Sequence, residues 1–179
     1  MYSIAYYESP LGVIELISDG KALTGLRFLG RDHNGPPIKK DGNEKDDLPV
    51  FGKTSHWLDI YFTGIDPGFV PPLSLTGSSF QLAVWSILLK IPFGRTMSYG
   101  EIADIIAHER GIRKMSAQAV GGAVGRNPVS LIVPCHRVIG SDGSLTGYGG
   151  GIERKLMLLK LEGVVTDNAP VKGFRLITD

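Results

Sequence analysis

The stretch "SYGEIADIIAHERGIRKMSAQAVGGAVGR", residues 98–126, sets the architecture of the second half of the chain. Ser98 with Glu101 three residues later is a capping-box pattern. It opens a helix in which Ile102, Ile105 and Ile106 recur at helical spacing and face inward. The polar turn "HERGIRK" ends that helix, and Ser116 caps the next, "AQAVGGAVGR". This second helix is so rich in Ala and Gly that one of its faces must lie close to something. Two short helices joined by a turn outline a helix-turn-helix, whose second helix would enter a DNA groove. Core packing alone produces the same pattern. Arg113, Lys114 and Arg126 flank the second helix, where they suit either phosphates or plain solvent.

Upstream, Ser78 with Gln81 gives another capping box before "FQLAVWSILLKI", with Phe80, Val84, Leu88 and Ile91 inward and "PFG" as the stop. Downstream, "GIERKLMLLKLEG" predicts a helix with Ile152, Leu156 and Leu159 inward and Gly163 as its terminator. The first third of the chain reads differently. Residues 1–7 and 12–29 carry β-type apolar runs, broken at Pro10-Leu11-Gly12 and at Asp19-Gly20, which suit hairpins. Residues 30–49 are polar and rich in Gly, Pro and charge, as in an exposed loop. A short helix with Trp57, Ile60 and Tyr61 on its buried face follows, then a Gly/Pro-rich linker. The expected domains are an α+β unit over residues 1–75 and a mainly helical unit over 76–179.

Between the last two helices lies "NPVSLIVPCHRVIGSDG", residues 127–143, with the only cysteine of the 179-residue chain. One thiol closes no internal disulfide and builds no four-cysteine zinc site. Such a residue is by default a small buried hydrophobe. Its neighbours argue otherwise, since His136 is a base and Arg137 adds positive charge, and both lower a thiol pKa from about 8.5. The run Val129–Val133 reads as a strand ending at Pro134. In an extended chain successive side chains point to opposite faces, so His136 would reach Cys135 only through a bend or a bridging water. The N-terminus has no signal-peptide pattern, and no apolar run approaches the roughly 18 residues of a membrane span. A cytoplasmic protein with a reduced thiol is expected. A formal charge of +1 means that any nucleic-acid contact depends on a local basic surface.

The segment "PCHRVIG", preceded by "AVGGAVGRNPVSLIV" and followed by "GYGGGIERKLMLLKLEG", resembles the O6-alkylguanine-DNA alkyltransferases; "LDIYFTG" near the end of the first domain resembles them too. The resemblance implies an α+β N-terminal domain, with a small antiparallel sheet, followed by a helical, winged-helix-like domain containing the helix-turn-helix. It implies that Cys135 accepts an alkyl group, that His136 deprotonates it through a water, and that Glu162 orients His136. Asn127 would organise the turn around the cysteine, and Tyr99 would meet the extruded base and its phosphate. Backbone amides around Tyr148 and Gly149 would stabilise the leaving oxygen. Arg126 and Arg137 would join the DNA-contacting set, as would Gln118, which stands where many family members carry an arginine.

The implied partner is duplex DNA containing O6-alkylguanine, and possibly O4-alkylthymine, bound through the minor groove by a monomer. The target base would be flipped out of the stack. The first domain lacks the cysteines that some relatives use for a structural metal, so neither zinc nor another cofactor is expected. Two other classes remain open: a damage-binding module that transfers nothing, and a cysteine hydrolase that turns over repeatedly.

Overall fold

A computed structural model describes residues 2–30 and 48–165. The loop reading of residues 30–49 therefore falls almost wholly outside the described residues. The chain divides into two units. The first is Met1–Thr76 with Pro128–Ser130, and the second is Gly77–Asn127 with Leu131–Asp179. The sequence reading assigned residues 128–130 to the second domain, and the structure returns them to the first.

The first unit is built on an antiparallel meander of β1 (Ser3–Ser9), β2 (Gly12–Ser18) and β3 (Leu23–Phe28). Both hairpins form where the turn residues stand. At the first, Ser9 Oγ accepts the Leu11 N–H and donates to the Gly12 carbonyl. At the second, Asp19 Oδ1 accepts the N–H groups of Lys21 and Ala22. These Asx-type bonds replace backbone partners that a tight turn cannot supply. One face of the sheet carries Ala5, Ile14, Leu16, Leu23 and Leu26, all buried.

Helix α1 (Pro49–Tyr61) begins with proline, whose missing N–H costs nothing at that position. Its apolar side holds Val50, Phe51, Trp57, Leu58 and Tyr61. Ile60, expected inward, is only half-buried, and Leu58 takes the inner place. Trp57 stacks on Tyr61 at 5.0 Å and donates its indole N–H to the Phe69 carbonyl. Beyond β3, the Leu26 N–H reaches the Pro128 carbonyl and the Ser130 N–H reaches the Leu26 carbonyl. Those two bonds explain why residues 128–130 belong here.

The second unit contains α2 (Ser79–Leu88), β4 (Met97–Ser98), α3 (Tyr99–Glu109), α4 (Ala117–Gly125), a 3₁₀ turn (Cys135–Arg137), β5 (Val138–Ile139) and α5 (Ile152–Leu161). Ser78 with Gln81 and Ser98 with Glu101 both form reciprocal capping boxes, and Ser116 Oγ accepts the Ala119 N–H. Helix α2 ends at Leu88, before "PFG", so Ile91 is buried from the connecting segment rather than from a helix. Helix α3 runs on through His108 and Glu109, which the sequence reading gave to the turn.

Trp85 of α2 is buried and donates its indole N–H to the Ala123 carbonyl of α4 at 2.9 Å. That bond ties the helix-turn-helix, α3 and α4, to α2. Gly77 makes room for the ring, since a Cβ there would lie 2.8 Å from Trp85. β4 and β5 pair in parallel and bring Ser98 beside Ile139, which sets the start of α3 next to the chain that leaves the cysteine. No helix among the described residues is long and apolar enough to cross a membrane.

Candidate active site

The apolar run before the cysteine makes a single parallel bridge, Val129 with Leu26, and then turns without forming a strand. Leu131 adopts a left-handed backbone with φ 68° while its side chain is fully buried. A non-glycine residue holds that conformation only where its surroundings enforce it, at a cost on the order of 1 kcal/mol. Asn127 supplies part of the enforcement, because its Nδ2 donates to the Val133 carbonyl at 2.7 Å. Pro134, at φ −82° and ψ 66°, is the centre of an inverse γ-turn closed by the Cys135 N–H to the Val133 carbonyl at 2.8 Å. The Arg137 N–H then reaches the Pro134 carbonyl. Cys135, His136 and Arg137 thus lie on a coil, and the alternation expected of an extended segment does not apply.

Each residue of the turn is buried. His136 Nε2 lies 2.6 Å from Glu162 Oε1. Glu162, the residue that ends α5, also receives Arg137 Nε at 2.8 Å and the Gly94 N–H at 3.1 Å. Burial alone would push the Glu162 carboxyl up. The hydrogen bond and charge of His136, and those of Arg137, overcome burial and hold it at about 2. Glu162 is therefore an acceptor at neutral pH, which assigns the proton to His136 Nε2 and leaves Nδ1 as the basic nitrogen. Burial is also the main reason that the imidazole pKa falls below its ordinary value, against the opposing pull of Glu162. At neutral pH His136 is therefore an uncharged base with a fixed tautomer.

Arg137 is placed differently from the sequence expectation of a DNA contact. Its guanidinium is buried, paired with Glu162, bonded to the Ile91 carbonyl at 2.7 Å and set over the Phe93 ring at 5.7 Å. With its donors committed there, it serves as the counter-charge of Glu162.

Tyr99, the first residue of α3, donates its hydroxyl to the Thr146 carbonyl at 3.1 Å. The Tyr148 ring meets His136 edge-on at 6.5 Å. Its hydroxyl is buried and has no hydrogen-bond partner among the described residues. Tyr99 and Tyr148 line a cleft of about 670 Å³ with Gln118, Gly121, Gly125, Thr146 and Gly149. That volume lies within the range of small-ligand sites. Gly121 and Gly125 of α4 line this cleft, and a Cβ on Gly121 would lie 3.8 Å from the Tyr99 ring. Cys135 is 6% exposed and is not one of the residues that line the cleft. Gln118 and Arg126 are exposed, Gln118 in the cleft wall and Arg126 just past the end of α4.

Two family models divide the chain between them. Residues 3–75 match the ribonuclease-like domain of 6-O-methylguanine DNA methyltransferase, and residues 79–164 match its DNA-binding domain. The chain belongs to the 6-O-methylguanine DNA methyltransferase family. It is 41% identical over 160 residues to the methylated-DNA–protein-cysteine methyltransferase of Haemophilus influenzae, covering 89% of this chain and 85% of that one. It is 46% identical over 155 residues to the enzyme of the same name from Mycobacterium bovis, covering 87% and 88%. A crystal structure of Mycobacterium tuberculosis OGT in complex with DNA superposes with a TM-score of 0.70 at 45% identity, over 88% of this chain and 90% of that one. Methylated-DNA–protein-cysteine methyltransferase is accordingly the activity of this chain.

One buried cation bonded to the residue after the Cys135–Arg137 turn was not singled out from the sequence. Lys155 of α5 is fully buried, and its Nζ donates to the carbonyls of Val138 at 2.6 Å and Thr146 at 2.8 Å. Burial brings its pKa down to about 8, with Cys135 pulling the other way. The signal was present in the periodicity. Lys155 stands three residues after Ile152, four before Leu159 and seven before Glu162, on the inward stripe of the helix.

Proposed function

We propose that this methyltransferase binds duplex DNA through the minor groove with α4, extrudes O6-alkylguanine into the cleft, and moves the alkyl group to Cys135 once and irreversibly. The observation that carries this reading is the 2.6 Å contact between His136 and Glu162, on the turn that holds the only thiol. Displacement at an alkyl carbon needs a thiolate. His136 Nδ1, oriented by Glu162 and acting through a bridging water, takes the thiol proton. The S–C bond forms as the C–O bond breaks, and the electron pair stays with guanine, which ends with the proton.

Donors around the leaving oxygen stabilise that developing charge. The Tyr99 hydroxyl, the unpartnered Tyr148 hydroxyl and the backbone near Gly149 border the cleft where the base would sit. The glycines of α4 allow the helix close to the groove floor. Gln118 fills the vacated stack, and Arg126 meets a phosphate. Every residue in this scheme lies in the second unit of one chain, which supports action as a monomer. A lone thiol suits the reducing cytoplasm.

Counting turnovers with excess O6-methylguanine DNA tests the reading, the expected result being one alkyl group per chain. No transfer would mean a binding module, and many transfers a hydrolase.

A further inference from the structure

We infer that Lys155 is a positioning residue whose buried ammonium balances the Cys135 thiolate and fixes the loop that carries Tyr148. This inference rests on Cys135 being the acceptor. The Glu162 carboxylate is matched by the Arg137 guanidinium. His136 is neutral for the reasons given above. Lys155 is fully buried, both its acceptors are backbone carbonyls, and no carboxylate pairs with it among the described residues. With a neutral thiol the described residues of the site therefore carry one positive charge without a counter-charge in a low-dielectric interior. With a thiolate they are neutral overall. Buried charges persist when paired, so the site favours the anion.

The geometry places the ammonium to act on both ends of the reaction. Val138, its first acceptor, directly follows the Cys135–Arg137 turn. Thr146, its second, lends the same carbonyl to the Tyr99 hydroxyl. One cation thus ties the turn of the nucleophile, the cleft loop and the start of α3. The other titratable groups of the site are Cys135 and His136 on the turn, Tyr99 on α3, Tyr148 on the loop and Glu162 on α5. The electrostatic influence of Cys135 extends to Lys155, Tyr99 and Tyr148 alike, which places all four groups in one field. During transfer the negative charge passes from sulfur to guanine as the S–C bond forms and the C–O bond breaks. The thioether product is neutral, and Lys155 is left without its counter-charge.

The test uses the whole protein and its single cysteine, so that iodoacetamide reactivity against pH reads Cys135 alone. In Lys155→Gln and Lys155→Met the midpoint of the profile should rise by about one pH unit, a tenfold loss of thiolate at pH values well below the wild-type midpoint. Lys155→Arg, which keeps the charge, should reverse most of that rise. Circular dichroism identifies variants that have not folded. If the neutral variants do not fold, nitrogen NMR of lysine-labelled wild-type protein replaces them. The Lys155 pKa should then drop when Cys135 is methylated. An unchanged thiol profile in the folded Gln or Met variant, or a Lys155 pKa indifferent to methylation, would overturn the inference. Transfer to Cys135 with that unchanged profile would leave the proposed function standing, whereas a shifted profile without transfer from DNA would remove the proposed function alone.

Discussion

Glu162 decides more than any other single side chain in the second unit. It holds His136, receives Arg137 and accepts the Gly94 N–H. Its carboxyl lies at about 2 in the folded protein, against an ordinary value of 4.5. A depressed acid contributes stability that is present above the unfolded pKa and lost as pH falls through the folded one. The window here runs from about 4.5 down to about 2, and the contribution is at most about 3 kcal/mol. Urea unfolding across that window should show wild-type protein losing stability that Glu162→Gln does not lose. At neutral pH, Glu162→Gln should itself be destabilised by about 3–5 kcal/mol, because Arg137 remains buried without its counter-charge. Equal acid sensitivity of the two proteins would show that Glu162 is not held as an ionised group.

The same contact carries a kinetic expectation. If His136 and Glu162 generate the thiolate as one unit, replacing both should slow single-turnover transfer little more than the worse single change. Additive losses, measured by rapid-quench transfer from O6-methylguanine DNA, would mean that the two act separately.

At the scale of elements, legibility followed local chemistry. The helix starts were readable because Ser78, Ser98 and Ser116 bond to backbone N–H groups three residues on, a purely local event. The hairpins were readable for the same reason. The run from Val129 to Val133 was not, because a short continuous apolar stretch is equally compatible with a strand or a buried turn. Its outcome was set by tertiary contacts, the Asn127 bond to Val133 and the buried left-handed Leu131. Arg137 and Lys155 were misjudged or missed for a related reason. Cations read as exposed until the acceptors that bury them are known, and those acceptors come from Glu162, Ile91, Val138 and Thr146, far away in sequence.

Helix α4 makes its own prediction. Gln118 is exposed and borders the cleft. If it fills the space left by a flipped base, Gln118→Arg should tighten binding to duplex DNA containing O6-methylguanine and steepen the salt dependence by about one charge. Reaction with free O6-benzylguanine should change little, since no base must leave a stack. An unchanged affinity and salt slope would mean that α4 does not enter the groove by this residue.

For the whole molecule, the family could be named from the sequence because its motifs are local strings, and both halves of the chain match the family's domains. The roles of Cys135, His136 and Glu162 came with the resemblance, and the fold adds the contact that the sequence could not show, His136 at 2.6 Å from Glu162 across 26 residues. In the proposed function, this site loads one alkyl group onto one sulfur. The most direct measurement is peptide mass spectrometry after reaction with duplex DNA carrying isotopically labelled O6-methylguanine, on wild-type protein and Cys135→Ser. One labelled methyl per wild-type chain is expected, confined to the peptide that contains Cys135, and none on the serine variant even though it still binds the DNA. Label on any other peptide, or transfer surviving in Cys135→Ser, would contradict the proposed function.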